Sequence, residues 1–123
     1  MGVIWDALQA SEYADNTIVI LTSDHGYHLG EKNHTAKTTA WEETTRVPFV
    51  VYTPEMRPGG RLASVAGQTC NAPVSLVDIY PTLNALCGLP ADPNGGVDKN
   101  NIALDGHDLT PLLDAPFEAR WDG

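Results

Sequence analysis

Basic residues are scarce in this chain: seven Lys and Arg stand against sixteen Asp and Glu in 123 residues, for a formal charge of -9 at pH 7. A nucleic-acid track needs a continuous cationic face, so that partner class is excluded. Long apolar runs are absent too. Nothing approaches the roughly twenty residues that cross a bilayer, and no membrane span is expected. Residues 1–10 have neither a basic start nor an adequate apolar core, and so do not resemble a secretory leader. If the chain is part of a longer protein, this leaves its compartment undetermined. Cysteine is confined to Cys70 and Cys87, with no metal-finger or redox spacing, and nothing in the sequence requires a disulfide.

What the chain does have is one concentrated loop. Thr22 to Lys37 contains Asp24, His25, His28, Glu31, Lys32, His34 and Lys37, a local excess of imidazole and ammonium within an acidic chain. Such a loop suits a small anionic group together with a metal ion. It follows Asn16-Thr17-Ile18-Val19-Ile20-Leu21-Thr22, a continuous β-branched run that reads as a buried parallel strand. Asp24 and His25 therefore fall just beyond a strand's carboxyl end, where open α/β sheets collect their ligands.

The remaining periodicity outlines the frame. Val3 to Tyr13 has helical spacing and feeds the strand. Thr38 to Thr45 holds a short helical turn, and Arg46 to Tyr52 reads as a second strand, with Pro48 near its start where a missing N–H is tolerated. Arg46 is expected to pair with Glu42 or Glu43 at helical spacing. Gln68 to Val74 is expected to be extended or irregular. A helix follows, with an apolar face of Leu76, Ile79, Tyr80, Leu83, Leu86 and Cys87, capped by Asp78 and stopped by Gly88. That face makes Cys87 a small core residue. Leu89 to Asn101 reads as a surface loop, and a last helix starts with Thr110 as cap and Pro111 in its first position. Trp41 is expected to be buried, Lys32 to be a solvated surface lysine, His28 and Glu31 to lie behind the site or on the surface, and His107 to be a turn residue.

The ordered series Ser23-Asp24-His25-Gly26, Leu29-Gly30-Glu31, His34, Lys37, Trp41-Glu42-Glu43, Thr45-Arg46-Val47-Pro48, Ser75 to Leu83 and Asp105-Gly106-His107-Asp108-Leu109 resembles the sulfatase family of the alkaline phosphatase superfamily, close to its iduronate-2-sulfatase-like branch. The resemblance implies an α/β fold, a partial mixed or parallel sheet sandwiched by helices. It also implies that residues 1–123 are the later part of a longer catalytic domain. In that pattern Asp24 is a hard oxygen ligand for a divalent cation, and His25 holds the neighbouring ligand position. Calcium is the first expectation. Manganese, magnesium and zinc stay open because imidazole nitrogen is a poorer partner for calcium than an amide oxygen. Lys37 matches the lysine that binds the sulfate and steadies charge on the leaving oxygen. His34, three residues earlier, shares its face if the segment is helical, and would bind sulfate or donate a proton to the leaving alcohol.

Three parts of the family's machinery are missing from these residues: the nucleophile, the paired aspartates that normally precede it and the basic residues that accompany them. The nucleophile is a formylglycine made from the cysteine of Cys-x-Pro-x-Arg, whereas Cys70 precedes Asn71-Ala72-Pro73 and Cys87 precedes Gly88-Leu89-Pro90. The formylglycine is therefore expected in an earlier part of the domain, joined to this one or separately encoded as a partner segment. The implied function is metal-dependent hydrolysis of sulfate esters of a small molecule or carbohydrate in the complete enzyme, with the 123-residue chain inactive alone. Two alternatives stay open: a phosphoester hydrolase or phosphomutase of the same superfamily, and a non-catalytic remnant or binding module.

Overall fold

The computed structural model describes residues 1–91 and 104–117. It divides into two compact units, residues 1–60 and 61–123. The expected loop from Leu89 to Asn101 lies, beyond residue 91, outside the described residues.

In the first unit, helix α1 (Gly2–Gln9) stops sooner than its apolar spacing suggests. The Ser11 hydroxyl donates to the Leu8 carbonyl at 2.7 Å, satisfying locally an acceptor at the helix end. A 3₁₀ turn (Ala14–Asn16) leads into strand β1 (Val19–Thr22). Next come β2 (His28–Leu29), β3 (Thr35–Ala36), the single turn α2 (Glu42–Thr45) and β4 (Phe49–Tyr52). Arg46 donates to Glu42 at 2.8 Å, the helical pairing expected of it.

Strand direction differs from the expectation. β1 pairs antiparallel with β4, Val19 opposite Tyr52 and Thr22 opposite Phe49, and β2 pairs antiparallel with β3. Among the described residues each sheet has two strands, and no helix-sandwiched parallel sheet forms. An apolar run encodes burial potential but not the direction of its neighbour. Nor is β1 fully covered: Leu21 and Val50, directly opposite each other, are 38% and 53% exposed. Trp5 meets Tyr52 edge-to-face at 4.7 Å, seating α1 beside β4. Arg57 ties the following 3₁₀ turn (Pro54–Met56) back to Asp15 and Gln9.

In the second unit, a 3₁₀ turn (Leu76–Asp78) runs into helix α3 (Ile79–Leu86), and α4 (Thr110–Asp114) follows. Asp78 is the residue that precedes α3, as expected of its cap, but its side chain serves the start of the 3₁₀ turn rather than of α3. Ser75 and Asp78 form a reciprocal capping box, with the Ser75 N–H donating to Asp78 Oδ2 at 2.7 Å. Asp78 is buried, and its Oδ1 also accepts the His107 N–H at 2.9 Å; His107 itself follows a bend at Gly106 rather than lying in a turn. Thr82, also buried, donates to the Asp78 carbonyl at 2.6 Å and accepts the Leu109 N–H at 2.9 Å. Among the described residues of this unit, Leu62, Leu109 and Leu112 are the buried aliphatic side chains.

Gly88 ends α3 with φ +65°, as its position implies. Cys87, expected in the core, is exposed instead, and Tyr80 on the same predicted face is half exposed. The apolar stripe is thus largely uncovered, while the residues that α3 buries are Thr82 and Asn84. At α4, Asp108 takes the Thr110 N–H and hydroxyl at 2.9 and 2.8 Å, so Thr110 is the first helical residue rather than the cap.

Candidate active site

Asp24 and His25 follow β1 immediately, and a short hairpin brings Lys37 back to them. β2 and β3 pair His28 with Ala36 and Leu29 with Thr35, which returns Lys37 to the level of Tyr27. The turn is tight: Gly30 has φ +130°, Lys32 and Asn33 are left-handed at φ 53° and 56°, and the Gly30 N–H donates to the His34 carbonyl at 3.1 Å. Glu31 reinforces it by accepting the Leu29 N–H at 2.7 Å. Hydrogen bonds from its own N–H and from that of Leu29 hold the Glu31 carboxyl below the ordinary value of 4.5, with the nearby His28 adding to the effect.

Three functional groups converge at the hairpin's open end. His25 Nδ1 lies 2.8 Å from the Gly26 carbonyl, which fixes that nitrogen as the donor and leaves Nε2 with its lone pair. Nε2 faces Asp24 Oδ2 at 3.3 Å and Lys37 Nζ at 2.8 Å. Asp24 and Lys37 are exposed and His25 is half-buried. Gly26 permits this placement because its N–H donates to the Thr44 carbonyl at 2.7 Å. A Cβ there would stand 2.1 Å from the Glu43 carbonyl oxygen.

The donor set fits a divalent cation. A carboxylate oxygen and an imidazole nitrogen 3.3 Å apart span neighbouring positions around an ion bound at roughly 2.0–2.4 Å. Among the described residues no group of three or more His, Cys, Asp or Glu side chains converges as a metal site.

His34 is placed differently from the helical expectation. The segment is a 3₁₀ turn (Glu31–Asn33) followed by extended chain, and alternation along a strand puts His34 and Lys37 on opposite sides. The His34 ring packs edge-on against His28 and Trp41, at centroid distances of 5.2 and 6.0 Å. Trp41, expected to be buried, is partly exposed, and Lys32, expected to be simply solvated, lies over its ring at 4.1 Å. His28, which carried no sharp sequence signal, is completely buried against the same tryptophan.

Comparisons with known proteins agree with one another. The family model described as Sulfatase matches residues 1–89. A sulfatase of Formosa agariphila is 44% identical over 91 residues, 74% of this chain and 16% of that protein. Mouse iduronate 2-sulfatase is 32% identical over 85% of this chain and 22% of its own length. Human arylsulfatase H is 34% identical over 93% of this chain and 20% of its own length. The chain thus spans about a fifth of the curated relatives it matches.

Proposed function

Given that the chain belongs to the sulfatase family, whose alkaline-phosphatase-like α/β fold it shares in part, we propose that it supplies the cation-and-lysine portion of a sulfate-ester hydrolase site. The observation that carries this reading is the convergence of Asp24 Oδ2 and Lys37 Nζ on His25 Nε2, at 3.3 and 2.8 Å. Asp24 and His25 would hold a divalent cation, calcium first, with manganese, magnesium or zinc as alternatives. That cation would supply positive charge for binding and polarising a sulfate group. Lys37 binds a sulfate oxygen and stabilises the negative charge that grows on the ester oxygen as its bond breaks, an interaction stronger in the transition state than in the ground state.

His34 is assigned to the wall beside His28 and Trp41, on the side of the chain away from Lys37, where its ring supports the loop. A sulfated carbohydrate is the substrate class taken here from the similarity to iduronate 2-sulfatase. The formylglycine nucleophile belongs to a segment bearing Cys-x-Pro-x-Arg, joined to this chain or encoded separately, and that segment would complete the helix-sandwiched sheet over the uncovered Leu21 and Val50.

Titration of the 123-residue chain with Ca²⁺ and Mn²⁺, followed at the Asp24 and His25 resonances, tests the assignment. Saturable shifts or broadening at both residues, lost in Asp24→Asn, are expected. Binding confined to other acidic side chains would refute it.

A further inference from the structure

His28 has no role in the site as described, yet it is the most deeply buried titratable group among the described residues, with 0% of its surface exposed. Its Nε2 lies 2.8 Å from Thr39 Oγ1, and Thr39 Oγ1 lies 2.9 Å from Thr44 Oγ1. Thr44, also buried, takes the Gly26 N–H on its carbonyl at 2.7 Å. The Gly26 carbonyl in turn holds His25 Nδ1 at 2.8 Å. Hydrogen bonds linked through the covalent frames of Thr44 and Gly26 therefore connect the buried His28 ring to the imidazole assigned to the cation.

Proton counting orients these hydrogen bonds. A threonine hydroxyl has one proton to give, and Thr39 Oγ1 already accepts the Trp41 N–H at 3.4 Å. His28 Nδ1 is buried with no hydrogen-bond partner, and the nearest carboxylate oxygen, Glu31 Oε2, is 4.0 Å away. That negative charge favours N–H at Nδ1. Nε2 is then the acceptor for the Thr39 hydroxyl, and Thr39 accepts the Thr44 hydroxyl. Each hydroxyl proton is used once and no donor opposes another. The alternative tautomer would put a bare lone pair at Nδ1 facing the carboxylate.

We infer that His28, as the Nδ1-protonated tautomer, is a positioning residue that holds the Asp24–His25 pair in its cation-binding arrangement through Thr39, Thr44 and Gly26. The inference rests on the cation-binding reading for its Mn²⁺ readout, but not for its other two. Partners that orient a ligand from behind typically change metal affinity by about 10–100-fold.

The test uses the ¹⁵N-labelled 123-residue chain. Long-range ¹H–¹⁵N correlations of the parent are expected to show His28 protonated at Nδ1 and bare at Nε2; the reverse pattern overturns the inference. Thr39→Val, which keeps the side-chain shape, is expected to move the His25 ring resonances and to weaken Mn²⁺ broadening at His25 about tenfold. Thr39→Ser, which restores the hydroxyl, is expected to return both toward the parent. A Thr39→Val chain with unchanged His25 resonances overturns the inference. If the parent shows no Mn²⁺ broadening at His25, the cation-binding reading falls, and the His25 ring shifts in the valine and serine variants still decide the positioning role. Should Thr39→Val not fold, the tautomer of the parent remains decisive.

Discussion

Lys37 Nζ sits 2.8 Å from His25 Nε2, so the ammonium assigned to sulfate and the nitrogen assigned to the cation share one hydrogen bond. That lone pair cannot serve an N–H donor and a metal ion at once. Binding of a cation at His25 must therefore release Lys37, which is then free to meet an incoming anion. Removing the ammonium also removes a like charge beside the ion, worth on the order of 1–2 kcal/mol in a solvated setting. Lys37→Met is expected to bind Ca²⁺ or Mn²⁺ about tenfold more tightly than the parent by calorimetric titration. Unchanged or weaker binding would show that the two groups do not compete.

Gly26 leaves no room for a side chain, because a Cβ would meet the Glu43 carbonyl oxygen at 2.1 Å, an atom of the backbone that cannot swing aside. Gly26→Ala should force the loop off α2 and weaken the bond from the Gly26 N–H to Thr44. Overpacking of this kind costs about 1–3 kcal/mol. Denaturant unfolding should show a loss in that range together with displaced His25 resonances, whereas a variant as stable as the parent would mean that the loop is not held against Glu43.

The Glu31 carboxyl is held below its ordinary value by the N–H groups of Glu31 and Leu29, with a smaller contribution from His28. For a carboxyl depressed in the folded state, the unfolded chain binds the proton first as pH falls. Its stabilising contribution is therefore fully present above about pH 4.5 and is lost as pH drops from there through the lower folded value. Glu31→Gln should flatten this part of the stability profile, read as the difference between the two variants' unfolding midpoints across pH 3–6. Parallel curves for the two proteins would contradict the assignment.

Two acids of this chain illustrate how burial decides energetic weight. Asp78 is buried and accepts backbone N–H groups of Ser75 and His107, so Asp78→Ala leaves two donors without their acceptor and should cost about 2–4 kcal/mol. Glu42 and Arg46 are joined at 2.8 Å but are both exposed, and Arg46→Ala should cost no more than about 0.5 kcal/mol. Chemical denaturation of the two variants measures the contrast directly, and comparable losses would refute it.

The sequence was most informative where chemistry is local. The Asp24-His25 pair past a strand, the Arg46–Glu42 pairing at helical spacing and the Gly88 stop each depend on neighbours a few residues away, and each appears in the structure. Strand direction was not legible, because Val19 to Thr22 would look the same beside a parallel or an antiparallel neighbour. His28 was expected to lie behind the site or on the surface, and the choice between the two was not legible for a related reason. A histidine between Tyr27 and Leu29 carries no periodic signal, and its burial depends on Thr39 and Trp41 arriving from eleven and thirteen residues further on. Asp78 likewise looked like a simple cap, since its second partner, His107, lies 29 residues away. The helical assumption for His34 failed because Gly30, Lys32 and Asn33 take positive φ and turn the chain into a hairpin. The apolar faces around Cys87, Leu21 and Val50 read as core because their pattern is that of a larger domain than the described residues enclose.

Turnover of 4-nitrophenyl sulfate by this chain joined to a sulfatase segment bearing the formylglycine nucleophile tests the central claim most directly. The joined protein is expected to hydrolyse the ester, Lys37→Ala to lower the rate at least a hundredfold, and the 123-residue chain alone to release no 4-nitrophenol. Hydrolysis by the isolated chain that Lys37→Ala abolishes, or a joined enzyme indifferent to Lys37, would contradict that claim.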